Sequence, residues 1–540
     1  MGLKCPRCQH ENPDGTRYCG ECGGPLKPDE DISLTKTLIT PGKSLQKRKR
    51  TIAYGGAAGL IIIAAVLVLS LFTGRAEAID SIAVLPLENL TGDAEREYFV
   101  DGVTDELIGQ LGQISGLRRV ISRTSVMRYK DTDKSLPEIA RELNVDAIVE
   151  GTVYKAGENV RIRLQLIDAL PEERNLWTQT YERAGSDVLV MYSQMAQAII
   201  GKIQVKLTAE ETTRLASARQ VNPEAYDAYL KGMFHWYRLN PQDLETALNY
   251  FESALEKDPN YVLAYTGIAL VWIGRNQGGL VPPSEAISKA KASAQKALEL
   301  DDTLAEVHYT SALIKTWMDW DWEGGESSFK RALEINPNYP DVWVYYSNLL
   351  CYMDRPEEAL EQGNKVLELD PYNPLFRGIY GLTLLMTGRI DDALAQADHA
   401  LKISSADAPA NSIRWEVLHL KGMNAEALEA AKTFYATLGL TPIAELMEQT
   451  YPKSGYAEAM NLAGNTLAEL SRDTNISPCF ISYPYIYGGN KEQALAWLEK
   501  GFEIGDPNMP YICEPIYFEL LGDEPRFQSL LQKMNLPGGE

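Results

Sequence analysis

The chain has 540 residues, of which 45% are hydrophobic and 23% charged, with a formal net charge of −22; that balance belongs to a folded protein of several units and excludes a disordered one. The acidity is uneven: residues 1–50 carry ten Lys or Arg against six Asp or Glu, net +4, which leaves −26 on the other 490. So acidic a remainder repels nucleic acid and anionic headgroups, so its partners are expected among proteins, cations and small molecules.

Residues 1–27 hold Cys5-Pro-Arg-Cys8 and Cys19-Gly-Glu-Cys22, two CxxC turns separated by ten residues. Two such turns bring four thiolates into the tetrahedral set that zinc prefers. Cys5, Cys8, Cys19 and Cys22 are therefore the expected ligands of a structural Zn2+, and four thiolates leave no open position for catalysis. A segment this short cannot bury a useful core, so the metal has to supply the folding energy. The stretch CPRCQHENPDGTRYCGECGGPL resembles the short zinc ribbons at the amino terminus of many prokaryotic membrane proteins, with Gln9 and Tyr18 departing from the usual Gly and Phe. Lys4, Arg7 and Arg17 are too few basic residues for a nucleic-acid surface, and docking to a cytoplasmic protein is the ribbon's expected use.

Residues 28–50 lack aromatic residues and any amphipathic period and read as a flexible basic linker. Thr35, Thr37 and Thr40 within it are candidate phosphorylation sites. Thr51 to Gly74 then runs 24 residues without a charge, about 36 Å of helix against a hydrocarbon core of about 30 Å. A transmembrane helix is expected there. Lys43 and Lys47-Arg48-Lys49-Arg50 precede it, whereas only Arg75 follows before Glu77 and Asp80, which keeps the amino terminus in the cytoplasm and residues 75–540 outside it. The expected location is the inner membrane, single-pass, with periplasmic carboxyl-terminal domains. Ala76-Glu77-Ala78 offers a signal-peptidase pattern, but the 50-residue leader and the long apolar run weigh against a cleaved signal.

Between residues 79 and 210 short apolar strands alternate with amphipathic helices. SIAVLPL (81–87) and LRRVIS read as strands, 103–114 and LPEIARELN as helices, and DAIVEGTVYKAG with NVRIRLQLID as a hairpin across Gly157-Glu158-Asn159. An α/β domain with a mixed sheet of about five strands follows. The segments SIAVLPLENLTGDAEREYFVDGVTDELIGQL, LRRVISRTSVMRYK, IARELNVDAIVEGTVYKAGENVRIRLQLIDA and LWTQTYER resemble the TolB-type amino-terminal domain, also called FlgO-like. The resemblance implies an extracytoplasmic binding module without defining catalytic residues. Members often follow a winged-helix or cyclase domain; here a zinc ribbon takes that position. Asp101, Arg123, Arg128 and Glu150 are the polar residues that could line a cleft, or simply form surface salt bridges.

From residue 220 to 530 the chain repeats itself. ALEKDPN at Ala254, ALELDDT at Ala297, ALEINPN at Ala332, VLELDPY at Val366 and ALKISSA at Ala400 are spaced by 43, 35, 34 and 34 residues. That period is the tetratricopeptide signature, helix pairs that bury their apolar faces only by stacking. Small Ala247, Ala359 and Ala393 with bulky Phe251 and Phe329 fit the second helix, and NQGGLVPPS accounts for the longer interval. About six or seven repeats are expected, coiled into a superhelix whose concave groove takes a peptide or partner helix. Trp317, Trp320 and Trp322 could stack on a ligand or pack between repeats.

Five histidines stand outside any HExxH, and no P-loop, GxSxG or GxGxxG is present. No enzyme is expected. Cys351, Cys479 and Cys513 are read as buried thiols or, for Cys479 with Cys513, as a disulfide. The expected function is a single-pass membrane scaffold or sensor that binds proteins through the repeats; the alternative is a small-molecule or glycan receptor built on the α/β domain.

Overall fold

The computed structural model describes residues 3–4, 10–12, 79–156, 159–216 and 221–539. The expected zinc ligands Cys5, Cys8, Cys19 and Cys22, the expected linker 28–50 and the apolar run 51–74 lie outside the described residues. Near the first CxxC, strands β1 (Leu3–Lys4) and β2 (Glu11–Asn12) pair antiparallel, Leu3 opposite Asn12. No helix among the described residues is long and apolar enough to cross a membrane.

The α/β domain runs β3 (Ser81–Val84), β4 (Glu88–Asn89), α1 (Glu97–Gly112), β5 (Arg119–Val120), α2 (Arg123–Met127), α3 (Leu136–Leu143), β6 (Ala147–Ala156), β7 (Asn159–Asp168), β8 (Arg174–Ala184), α4 (Val188–Ile203) and α5 (Ala209–Ala216). The sheet order is β5-β3-β6-β7-β8, parallel from β5 to β6 and antiparallel thereafter, with β4 also beside β6. It has six strands where five were expected. Pro86 has no N–H to give the ladder, so the expected strand 81–87 breaks into β3 and β4 around it. Along β7, Val160, Ile162, Leu164 and Leu166 are buried while Arg161 and Arg163 face out. Helix α1 covers the sheet with Val103, Leu107 and Leu111, each fully buried, and each such side chain contributes about 1.5–3 kcal/mol.

Six helix pairs follow: α6 (Pro223–Trp236) with α7 (Pro241–Lys257), α8 (Val262–Gln277) with α9 (Pro283–Leu300), and α10 (Ala305–Leu313), extended by a π-turn over Ile314–Met318, with α11 (Trp322–Ile335). Next come α12 (Pro340–Tyr352) with α13 (Pro356–Leu369), α14 (Pro374–Met386) with α15 (Ile390–Ile403), and α16 (Ala408–Leu420) with α17 (Asn424–Thr437). Close packing explains the small residues. A Cβ on Gly232 would stand 2.4 Å from the Phe251 ring, and one on Gly267 2.7 Å from it. Helix α18 (Thr441–Leu470) breaks the pattern with a kink, where Pro452 lacks its N–H and Gly455 turns to φ 84°. Helices α19 (Pro478–Tyr487), α20 (Lys491–Ile504), α21 (Pro515–Leu521) and α22 (Pro525–Met534) complete the chain.

These last helices fold back onto the repeats. Trp322 Nε1 donates to the Met534 carbonyl (2.9 Å), Asn475 Nδ2 to Gly279 and Val281 carbonyls (2.7 and 2.9 Å), and the Ile516 N–H to Glu416 (3.1 Å). Trp320 stacks on Phe502, Trp317 meets Tyr345 and Tyr352, and Trp415 stacks on Tyr487 at 4.0 Å. The three tryptophans of 317–322 are therefore packing residues. The C-terminal helices share a core with the repeats and touch them at 277–281, Trp320, Trp322, Tyr352 and Glu416, so part of the repeat surface is covered by the chain itself.

The Cys479–Cys513 disulfide does not form. All three described cysteines are free; Cys479 Sγ lies 3.5 Å from Met509 Sδ, whereas Cys513 shares a cavity of about 360 Å³ with Cys351.

Candidate functional site between the sheet domain and the repeat turns

The turns that mark the repeat period also receive the α/β domain. In Asn336-Pro337-Asn338-Tyr339, the Asn338 amide accepts from the Val120 N–H (3.0 Å) and donates to the Gly112 and Leu117 carbonyls (3.2 and 3.1 Å). One turn further on, Ser125 Oγ donates to Asp370 (2.6 Å) and accepts from the Tyr372 N–H (2.9 Å), and the Ser122 N–H donates to the Leu369 carbonyl. Gly112 is needed there, since a Cβ would come within 2.9 Å of the Asn336 side chain. At the first repeat the contact becomes apolar: Leu230, Tyr226 and Ala264 belong to the same core as the sheet.

Of the four polar candidates read from the sequence, three gather at this boundary. Asp101 pairs with Arg123 (3.5 Å) and Lys130 (2.8 Å), Arg123 lies 4.4 Å over the Tyr237 ring, and Arg128 lies 3.7 Å over Tyr372. Glu150 stands apart on β6, where Gln165 donates to it.

Beside the docked turns, four further carboxylates stand within electrostatic reach of one another where α1 approaches the first turns of α10 and α12. Asp105 and Glu106 come from α1, Glu306 from α10 and Asp341 from α12; all four are partly buried. Tyr237 donates to Asp105 (2.8 Å) and Gln110 to Glu106 (2.9 Å). Burial pushes the Glu106 carboxyl up to about 7, with Glu306 and Asp105 adding repulsion, and burial with Asp370 pushes Asp341 up to about 7. Asp105 and Glu306 are raised as well, first by burial. Tyr229 meets Tyr261 edge to face at 5.4 Å, and Tyr309 meets Tyr339 at 5.3 Å. Sequence reasoning missed all four carboxylates because each resembles an ordinary solvated residue in a helix's first turns. Only the tyrosines recurring at the turns, Tyr261, Tyr339 and Tyr372, hinted at the place.

Residues 328–361 match the family model described as Tetratricopeptide repeat, and they fall on the second half of α11, the 336–339 turn, all of α12 and the start of α13. The solenoid is a tetratricopeptide-repeat domain. Among curated proteins, the chain is similar to Putative adenylate cyclase 3 of Rhizobium meliloti (strain 1021), 34% identical over 240 residues, 44% of this chain and 40% of that protein. It is also similar to Transcriptional regulator HilA of Salmonella typhimurium, 30% identical over 210 residues, 38% of this chain and 37% of the relative. The chain thus spans about two-fifths of the length of these relatives. Among solved structures, TTC0263, a thermophilic TPR protein of Thermus thermophilus, aligns with 36% of this chain and 98% of its own, at 18% identity and a TM-score of 0.31.

Proposed function

We propose that the protein is a single-pass inner-membrane scaffold that binds other proteins through its tetratricopeptide repeats, works by binding rather than catalysis, and carries a structural zinc ribbon in the cytoplasm. The observation that carries this reading is the run of six stacked helix pairs, a fold suited to protein recognition. The uncharged segment 51–74 and its basic flank support the anchor and its orientation. Because the C-terminal helices cover part of the repeats, a partner meets the surfaces they leave free or displaces those helices. Helix α9 illustrates the free surface: Ala286, Ala290, Ala294 and Ala297 are its buried residues, and the rest of it faces outward.

The test is in-cell crosslinking of the full-length protein with mass spectrometry, run beside a Cys5→Ser, Cys8→Ser variant and a carboxyl-terminal phosphatase fusion. Envelope proteins crosslinked within 241–437, a cytoplasmic partner lost in the variant and an active phosphatase are the expected results. An inactive fusion overturns the orientation, and the lack of a protein partner on either side overturns the scaffold. A small-molecule or glycan receptor built on the α/β domain is the second reading.

A further inference from the structure

We propose that the free edge of the sheet, strand β8, pairs with the same edge of a second copy of this chain, so that two α/β domains share one continuous sheet across a two-fold axis at Thr180. This goes beyond the scaffold reading and does not rest on it.

The two edges of the sheet are finished differently. Around β5 the repeats close the edge: the Asn338 side chain accepts from the Val120 N–H (3.0 Å), Lys365 donates to the Arg118 carbonyl (3.2 Å), and the Ser122 N–H donates to the Leu369 carbonyl. At the other end of the strand order, β8 pairs with β7 alone among the described residues. In an antiparallel ladder every second residue turns its N–H and C=O away from its neighbour, so the 11 residues of β8 carry an unpaired row. Edges that stay single are blunted by proline, by lysine or by inward-pointing charge. Strand β8 has neither Pro nor Lys; its charges, Arg174, Glu182 and Arg183, stand near its ends, and the run 175–181 between them, NLWTQTY, is uncharged and rich in strand-favouring residues. A groove of about 550 Å³ lies between 179–183 and Gln194, Gln197 and Ala198 of α4. Because it touches consecutive residues from both faces of β8, the groove follows the strand's edge, where an added strand would lie.

The strand's own sequence fits a second copy. Its one irregularity is a bulge opposite Leu166 and Ile167, which leaves 177–183 regular. Two such runs paired antiparallel about a two-fold axis must set odd residues opposite odd and even opposite even, because only those turn their N–H and C=O the same way. The register centred on Thr180 uses the whole regular run. Trp177 and Arg183 share the face of the buried Leu166 and Val160, their partners on β7. There Trp177 comes opposite Arg183 of the second copy, an indole facing a guanidinium. On the outer face Thr178 comes opposite Glu182 of the second copy, hydroxyl to carboxylate, and Thr180 opposite its own equivalent. No like charges oppose each other. Since each copy has one such open edge among the described residues, the pairing closes at two.

The experiment is sedimentation velocity of the full-length protein in detergent over a range of concentrations, repeated with variants at Thr180. A concentration-dependent dimer is expected for the parent. Thr180 is exposed and faces itself at the axis, so Thr180→Lys should raise the dimer dissociation constant about tenfold or more while leaving the melting temperature unchanged. Mixing Thr180→Lys with Thr180→Glu should restore association as mixed dimers, which damage to the fold would not produce. Thr180→Cys should yield a dimer with a disulfide between the two residues at 180 on mild oxidation, read by peptide mass. A monomer at every concentration, or a dimer that tolerates Thr180→Lys and forms no preferred mixed pair, would overturn the β8 seam; the second result would move the association to another part of the chain, such as 51–74.

Discussion

The two long-range closures of this molecule solve the same electrostatic problem differently. Where the α/β domain meets the repeats, Asp105, Glu106, Glu306 and Asp341 are raised by burial but keep some contact with solvent. Where the C-terminal helices meet α16, Glu416 and Glu514 are 1% and 4% exposed and hydrogen-bond to each other. Neither solvent nor a counter-ion reaches that pair. It is relieved by a proton: burial raises Glu416 to about 7, and burial with the neighbouring Glu416 drives Glu514 well above the ordinary value. One closure leaves its carboxylates partly open to water, whereas the other seals its pair as a proton-held clasp.

The comparison is broken most severely at the clasp's aromatic floor. Trp415 is fully buried, stacks on Tyr487 and donates to the Tyr456 hydroxyl (2.7 Å). Trp415→Ala should cost about 3–5 kcal/mol and expose 441–539 to protease while the sheet domain stays protected, read by urea unfolding and limited proteolysis. Acidity comes next. Between the ordinary 4.5 and about 7 the folded chain holds a proton on Glu416 that the unfolded chain has lost. This group's stabilisation is therefore fully present below 4.5 and is lost as pH rises through about 7. A loss on the order of 3 kcal/mol is expected from this group across that window, and Glu416→Gln should remove that share of the pH dependence, as measured by denaturant midpoints from pH 5 to 8.

At the other closure, Asn338→Ala removes three buried hydrogen bonds and leaves the Val120 N–H and two carbonyls unpaired. A cost of about 2–3 kcal/mol is expected, with faster amide exchange at 112–122 than at the C-terminal helices. The smallest effect is expected from the ribbon: Cys5→Ser with Cys8→Ser should abolish one bound zinc per chain, by elemental analysis, without moving the melting temperature of the body.

Local signals account for much of the fold. Val160, Ile162, Leu164 and Leu166 alternate with charge, and the hairpin they belong to is built as read. The 34-residue spacing of the Ala-Leu-Glu motifs yields stacked helix pairs, because each pair's small residues have to sit under its neighbour's rings. The two-residue strand β4 was not legible, being too short for any period to register. The candidate site was legible only in part: Asp101, Arg123 and Arg128 were singled out, but nothing local distinguishes Glu306 or Asp341 from solvent-facing carboxylates.

Sequence alone determined the strand and helix periods, the repeat spacing, the CxxC pairs and the uncharged run, because each is written in residues that are near neighbours along the chain. Only the tertiary structure decided what packs against the repeats and what sits on their turns. Asn338 reaches Val120 across 218 residues and Trp322 reaches Met534 across 212. Contacts at such separations are chosen by shape and polar complementarity between finished surfaces, and those surfaces exist only after the local elements have folded and packed.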